Sequence, residues 1–370
     1  MSNWFSPARW LRILLAALAA IPLVFLPGPN GGSSIAALTP QQLAGQRIIY
    51  SYPGLTPPAG LLAKIKAGQA AGVIFFGENI SSSAQIAAVA AQLKQAAAQS
   101  PVHLPLLLMT DQEGGKVRRL PGEPVNSEKT IGSSADPAGE AAQAGTSAGQ
   151  NLTGAGMDIN LAPVLDVFTQ PGNFIDRFQR SYSSNPTVVA AAGSAFVTAQ
   201  QKLSVVATAK HFPGLGSAAT AQDTDAAPVT LNASLATLRS VDEAPYPAAI
   251  KAGVKMVMTS WATYPALDAS HPAGLSLTVI QNELRGRLGF GGVTITDALE
   301  AGALQAFGDT SQRAVTAAGA GMDLLLCSAR DVSQGDAASA ALVSALQSGK
   351  LGTDAFTAAV NRTWDLRNHL

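Results

Sequence analysis

Cysteine and histidine are scarce in this sequence, and both shortages exclude kinds of chemistry. The 370 residues include one cysteine and four histidines. No disulfide can form within a chain that has one thiol, and Cys327 lies in the apolar run 322–327, where burial as a small hydrophobe is expected. No histidine stands in an HExxH-like or Cys/His-clustered spacing. The sequence therefore predicts no metal site, no cofactor and a metal-independent mechanism.

Charged residues are also few, and their signs cancel. Asp, Glu, Lys and Arg make up 13% of the chain, with 24 basic and 24 acidic residues. Proteins that bind a polyanion usually carry an excess of positive charge, so the composition does not favour nucleic acid or a strongly anionic surface as the partner. A neutral small molecule or a glycan fits better. The composition indicates no particular oligomeric state.

The first 34 residues differ in character from the rest of the chain. Arg9 and Arg12 precede an apolar stretch, 13–26, and a Pro/Gly/Ser-rich segment, 27–34, follows it. The apolar stretch is short for a relaxed membrane span and suits the hydrophobic region of a signal peptide. We therefore expect residues 1–34 to direct export to the extracellular space or the cell envelope, either as a cleaved signal peptide or as an uncleaved membrane anchor.

Short apolar runs alternate with longer Ala-rich stretches from residue 43 onward. The strand candidates are 47–51, 72–76, 106–110, 158–162, 205–209, 255–259, 293–296 and 323–327, and the helical stretches lie near 57–69, 82–99, 137–154, 186–203, 234–252, 277–288, 310–320, 336–349 and 353–368. Eight βα units in one series predict an α/β fold, a single-domain (β/α)₈ TIM barrel over residues 35–370. A doubly wound open sheet is the structural competitor, but no GxGxxG follows the first strand.

Polar side chains follow the candidate strands at the end where a TIM barrel places its chemistry. In chain order they are Asp111 after the third strand, Asp166 and Arg180 after the fourth, Lys210 and His211 after the fifth, Trp261 after the sixth and Asp297 after the seventh. Carboxylates, cations and an aromatic ring at one barrel mouth indicate a polyol-binding site. Taken singly, each has a structural explanation, because an aspartate can cap a helix or a turn and a tryptophan can serve packing.

The segment that begins with Lys210 and His211 concentrates these residue types. A glycine-rich loop, 212–216, lets the backbone turn tightly, and Asp223 and Asp225 follow it. Two interpretations are open at this point. Either these side chains face one cleft as a catalytic group, or His211 is a core histidine and the two aspartates cap a turn.

Five motifs occur in a fixed order: DQEGGKVRR at 111–119, RSY at 180–182, KHFPGLG at 210–216, YPALD at 264–268 and GFGGVTITDAL at 289–299. Together they resemble glycoside hydrolase family 3, in its single-barrel β-N-acetylhexosaminidase branch, over about residues 40–350. The resemblance implies an enzyme that removes a terminal β-linked N-acetylglucosamine, for instance from cell-wall glycans, by the retaining route with a covalent glycosyl-enzyme intermediate. By motif position, Asp297 would be the nucleophile, and the sugar hydroxyls would be held by Asp111, Arg180, Lys210 and His211.

The general acid departs from the pattern of this branch, in which a histidine of an Asp-x-His pair follows KHFPGxG. Here the loop 217–225 is two residues longer and has Asp225 where the histidine would stand. We therefore predict that the Asp223/Asp225 pair supplies the proton and that Asp225 is the donor, because carboxylates crowded near Asp297 cannot all ionise cheaply. Trp261 also replaces a histidine common in the branch, and we expect it in the sugar or aglycone pocket.

Two alternatives to an N-acetylglucosaminidase stay open on the sequence. The missing histidine favours a catalytically attenuated barrel that binds glycans, whereas Asp297 favours an enzyme, since a binding protein needs no nucleophile. The motifs do not encode a pocket for the 2-acetamido group, so a β-glucosidase or β-xylosidase on the same scaffold is the second alternative.

Overall fold

The computed structural model describes residues 35–370, and its strands close a parallel barrel. In chain order the strands are β1 (Ile48–Tyr50), β2 (Gly72–Ile74), β3 (Leu107–Thr110), β4 (Gln112–Gly114), β5 (Val117–Arg118), β6 (Ile159–Asn160), β7 (Val206–Phe212), β8 (Met256–Thr259), β9 (Thr263–Tyr264), β10 (Asp268–Pro272), β11 (Val293–Ala298) and β12 (Leu324–Leu326). Eight of them form the closed barrel in the order β1-β12-β11-β8-β7-β6-β3-β2. The predicted (β/α)₈ TIM barrel is confirmed.

Helices follow most of the barrel strands. They are α1 (Pro40–Gly45), α2 (Ala59–Lys66), α3 (Ser83–Ala98), α4 (Glu128–Gly132), α5 (Pro137–Gly154), α6 (Phe174–Arg177), α7 (Pro186–Gln201), α8 (Leu235–Thr237), α9 (Tyr246–Lys251), α10 (Thr310–Ala320), α11 (Val332–Gln347) and α12 (Thr353–Asn368). Short 3₁₀ turns lie at Ile35–Ala37, Gly77–Asn79, Ala273–Leu275 and Gly302–Phe307, and π-helical segments at Leu238–Asp242 and Thr278–Arg287. No helix within residues 35–370 is long and apolar enough to cross a membrane.

The core has an inner and an outer layer, as alternation along the strands requires. Ile49 belongs to the cluster inside the barrel, with Met109 and Ile295, whereas its neighbour Ile48 packs outward against the helices. The Ala-rich helices approach one another closely. At Gly145 of α5, a Cβ atom would lie 2.5 Å from the carbonyl oxygen of Phe196 in α7, so glycine is required at this crossing.

Two strands run further than the sequence predicts, and the site residues lie on them. Lys210 and His211 belong to β7, and Asp297 belongs to β11, rather than following these strands. The ladder continues through the polar residues, since the amide of Leu165 donates to the carbonyl oxygen of Lys210 at 2.7 Å. A TIM barrel has polar side chains at the carboxyl ends of its strands, so the end of an apolar run is not the end of the strand.

The described residues belong to one compact unit. Cys327 is buried and unpaired, as expected for a small hydrophobe. The prediction for residues 1–34 lies outside the described residues.

Candidate active site

A cavity of about 390 Å³ opens at the carboxyl ends of the barrel strands. Most of the predicted site residues line it: Asp111, Arg180, Lys210, His211, Asp225 and Asp297. The other side chains around it are Ile74, Phe76, Val117, Arg119, Leu161, Met258, Ala298, Glu300, Ala301, Leu326, Ser328 and Arg330. The barrel therefore brings into one cavity predicted site residues that are up to 186 positions apart, from 111 to 297.

Lys210 is the centre of a buried ion-pair network on one side of the cavity. Its Nζ lies 2.7 Å from Asp111 Oδ1 and 2.8 Å from Glu113 Oε1, and the side chain is 2% exposed. Burial opposes ionisation of Asp111, but Lys210 and then Arg119 outweigh it and lower the pKa of Asp111 to about 2. Burial would also lower the pKa of Lys210, yet Asp111 and Glu113 raise it. The network is thus fully charged at neutral pH.

Glu113 is a site residue that the sequence analysis did not select. It is buried outside the cavity lining, and it accepts two hydrogen bonds from Arg180, from Nε at 2.9 Å and from Nη2 at 2.8 Å. One carboxylate therefore fixes both cations, Lys210 and Arg180, in their places on the cavity wall. The signal in the sequence was that Glu113 lies two residues after Asp111. The hairpin of β4 and β5 places both carboxylates next to the same partner, Lys210.

His211 is oriented by Asp166. Its Nδ1 lies 2.7 Å from Asp166 Oδ2, while Asp166 Oδ1 accepts from the amides of His211 and Leu215 at 3.2 and 2.7 Å. Burial opposes the charge on Asp166, but His211 outweighs it and lowers the pKa of that carboxyl. With its Nδ1 proton donated to Asp166, the ring presents Nε2 as an acceptor to Arg180 Nη2, 3.4 Å away. Asp166 itself does not line the cavity.

Asp297 lies on the other side of the cavity, near the end of β11. Its Oδ1 accepts a hydrogen bond of 2.8 Å from the amide of Ala298, and the residue is half-buried. This bond fixes one carboxylate oxygen, and the other, which accepts no hydrogen bond from a described residue, can face a ligand.

The expectation that Trp261 lies in the sugar or aglycone pocket is wrong for this structure, because the residue is absent from the cavity wall. The residue is fully buried, does not line the cavity, and donates from Nε1 to the carbonyl oxygen of Ala298 at 2.8 Å. Its ring occupies space that exists because residue 274 is glycine, where a Cβ atom would lie 2.5 Å from the ring. The position of Trp261 after β8 gave no information on which side of the strand end its side chain faces.

The two aspartates of the loop 217–227 are in different environments. Asp225 lines the cavity, and although it keeps surface open to solvent, desolvation by nearby protein atoms and then the charges of Asp297 and Asp223 raise its pKa to about 6. Asp223 is outside the cavity lining, and its Oδ1 accepts from the amide of Asp225 at 3.0 Å, as in an Asx turn. The structure therefore brings Asp225, but not Asp223, to the cavity.

This loop is held by the segment that follows Asp297. The amide of Gly302 donates to the carbonyl oxygen of Asp225 at 2.8 Å, and the amide of Ala303 donates to that of Thr224 at 3.0 Å. On its other side, the amide of Phe174 donates to the carbonyl oxygen of Ala218 at 3.2 Å. The loop of Asp225 is thus held against the segment that follows Asp297 at the end of β11.

Metal ligation has no support from the arrangement of these side chains. Among residues 35–370, no group of three or more His, Cys, Asp or Glu side chains is arranged to hold a metal ion. The positive charges that line the cavity include the protein side chains Lys210 and Arg180.

A TIM barrel whose mouth combines paired carboxylates with buried cations is the architecture of a glycoside hydrolase. The chain belongs to family 3 of these enzymes, because the glycosyl hydrolase family 3 N terminal domain matches residues 54–366. The resemblance to the single-barrel β-N-acetylhexosaminidase branch is likewise confirmed.

Three similar proteins illustrate the match. The chain is 46% identical to an uncharacterized secreted glycosyl hydrolase of Arthroderma benhamiae, over 88% of this chain and 93% of the other. It is 33% identical to a β-hexosaminidase of Xylella fastidiosa, over 87% of this chain and 97% of the other. The crystal structure of the β-N-acetylhexosaminidase from Beutenbergia cavernae matches with a TM-score of 0.82 at 33% identity, covering 90% of this chain and 99% of the other.

Proposed function

We propose that this enzyme removes a terminal β-linked N-acetylglucosamine from a glycan by the retaining route, with Asp297 as nucleophile and Asp225 as proton donor. The observation that carries the proposal is the presence of both carboxyl groups in one cavity, with the raised pKa of Asp225 beside Asp297. A retaining glycosidase needs such a pair, one ionised and one protonated.

The first half of the reaction forms a bond to the enzyme. The side chains of Asp111, Arg180, Lys210 and His211 hold the hydroxyls of the sugar. The free carboxylate oxygen of Asp297 attacks the anomeric carbon while the bond from that carbon to the leaving oxygen breaks, and the carboxyl of Asp225 gives its proton to the leaving oxygen. The products are the glycosyl ester of Asp297 and the released alcohol.

The second half restores the enzyme. The carboxylate of Asp225 takes a proton from a water molecule, whose oxygen attacks the anomeric carbon and displaces Asp297. Two inversions return the β configuration. The presence of a donor carboxyl in the cavity favours this enzyme over an attenuated glycan-binding barrel.

The sugar is proposed from the relatives, since the β-hexosaminidase of Xylella fastidiosa and the β-N-acetylhexosaminidase of Beutenbergia cavernae act on N-acetylated hexosides by their names. Export is proposed from the composition of residues 1–34 and from the description of the Arthroderma relative as secreted. An exported enzyme of this specificity would act on glycans of a cell wall.

Turnover and covalent trapping test the proposal together. Among aryl β-glycosides of N-acetylglucosamine, glucose and xylose, the first should give the highest kcat/KM. A slow 2-fluoro or related glycoside should leave a label on Asp297 by mass spectrometry, and Asp297→Ala should lower turnover by about 10⁴-fold or more while the protein still folds. A label on another carboxylate would refute the nucleophile, and a preference for glucose or xylose would refute the sugar.

A further inference from the structure

Phe76 and Arg330 line the cavity away from β7, the strand that carries Lys210 and His211. Phe76 follows β2 and Arg330 follows β12, and both strands are neighbours of β1 in the barrel. In a ring of eight strands, β1 is four places from β7, the strand of Lys210 and His211. Phe76 and Arg330 therefore flank β1, the strand that lies opposite Lys210 and His211.

The two side chains form one surface. The guanidinium carbon of Arg330 lies 4.5 Å from the centroid of the Phe76 ring, a cation–π contact. Arg330 forms one ion pair with a described residue, in which its Nε lies 3.4 Å from Glu78 Oε1. The Arg330 side chain is 51% exposed and the Glu78 side chain is 43% exposed. Exposed pairs of this kind contribute little. No described residue accepts a hydrogen bond from the Nη atoms of Arg330 within normal distance.

The backbone at Arg330 is in a conformation that arginine seldom adopts. Its φ is +58°, in the left-handed region that favours glycine or asparagine. The amide of Arg330 donates to Ser51 Oγ at 2.9 Å, and that hydroxyl donates to the carbonyl oxygen of Cys327 at 2.8 Å. The chain thus holds a large cationic side chain at the cavity in a backbone position unfavourable to it.

Partly buried polar contacts position the two halves of this surface. Glu300, three residues after Asp297, accepts from Ser328 Oγ at 2.7 Å and from Gln334 Nε2 at 3.0 Å, so its charge is engaged by neighbours. The amide of Phe76 donates to Oδ1 of the fully buried Asn79 at 2.8 Å. The segment that leads to Arg330 is therefore joined to the segment that follows Asp297, and the backbone of Phe76 is held by Asn79.

We propose that Phe76 and Arg330 form a subsite for the leaving group and that this subsite prefers a leaving group with a carboxylate. The inference rests on the proposed function. A sugar that is held beside β7 through hydroxyls remote from its anomeric carbon turns that carbon away from β7, and the leaving group bonded to it then extends across the cavity. A planar guanidinium whose Nη atoms donate to no described residue matches a carboxylate in two parallel hydrogen bonds. The Phe76 ring offers an apolar face for the body of the same group.

A matched pair of substrates tests the subsite. The 3-carboxyphenyl and 3-carbamoylphenyl β-N-acetylglucosaminides have the same sugar and similar shape, but only the first bears a negative charge on its leaving group. At low ionic strength the protein should favour the charged substrate in kcat/KM by about five-fold, the scale of a partly exposed charge pair, and added salt should reduce the ratio. Arg330→Gln should bring the ratio close to one.

Two further variants keep the result interpretable. Arg330→Lys retains the charge without the planar fork and should give an intermediate ratio. Arg239→Gln removes an arginine that is paired with Glu283 and does not line the cavity, and it should leave the ratio unchanged.

Each remaining outcome counts against the inference. A ratio near one in the unaltered protein, or a preference that survives in Arg330→Gln, would overturn the subsite while leaving the proposed function intact. Failure of the unaltered protein to turn over either substrate would instead refute the proposed function, and the subsite with it.

Discussion

Asp225 is the residue at which the chemistry of this chain departs from the branch that it resembles. A carboxyl stands where the pattern has an imidazole, and a carboxyl, unlike an imidazole, can donate a proton near neutral pH only if its surroundings raise its pKa. Desolvation, Asp297 and Asp223 bring the pKa of Asp225 to about 6. A carboxyl with this pKa is partly protonated when the enzyme meets its substrate.

The proton donor should be detectable by its leaving-group dependence. Asp225→Ala should lower the hydrolysis of a disaccharide by about 10²- to 10⁴-fold, the usual contribution of general acid catalysis, and should largely spare release of nitrophenol, which leaves without protonation. Asp223→Ala is the comparison: its side chain does not line the cavity and acts only through the pKa of Asp225, so its loss should have a much smaller effect. An equal, small effect of Asp225→Ala on both substrates would exclude the role, and equal losses in the two variants would assign the proton to the pair.

The pH profile gives a second measurement on the same residue. The donor acts in its protonated form, so its contribution is present below its pKa and is lost as the pH rises through about 6. We expect kcat/KM for a disaccharide to fall on the alkaline side of that value. The same limb should be much weaker for a nitrophenyl glycoside.

At the scale of elements, the sequence predicted the eight barrel strands but not the hairpins. Apolar runs such as 106–110 identify buried parallel strands, because both faces of such a strand are covered. The hairpins β4–β5 and β9–β10 are short and polar, with little periodicity over so few residues. Glu113 was missed because the sequence did not predict the hairpin. It is the hairpin that brings Glu113 into contact with Lys210 and Arg180, which are distant in the sequence.

Trp261 links a turn after β8 to the end of β11. Trp261→Phe would remove the donor to the carbonyl oxygen of Ala298 and keep most of the buried ring, so the free energy of unfolding should fall by about 1–2 kcal/mol. Because Ala298 also donates to Asp297, kcat should fall by several-fold while KM changes little. Trp364→Phe, on α12 and away from the cavity, is the matched control. A raised KM with unchanged kcat would indicate direct contact with the sugar instead.

At the scale of the whole molecule, the barrel should be independent of the N-terminal segment. An apolar targeting stretch and a Pro/Gly linker are not expected to join a core that begins after them, so a protein that starts at Ser34 should be soluble and unfold in one cooperative transition. Calorimetry and circular dichroism would measure this. An aggregated or molten product would make residues 1–34 part of the folded unit.

The glycine at position 302 limits how this active site can be re-engineered. A Cβ atom there would lie 2.2 Å from the carbonyl oxygen of Ala226. The backbone of the loop that carries the proton donor therefore packs directly against the backbone of Gly302. Transplanting a shorter, histidine-bearing loop from a relative would remove that contact and leave the segment 301–303 without its partner. Mutant libraries that seek a new proton donor should therefore vary residues 217–227 and residues 301–303 in the same variants, because the two segments pack against each other.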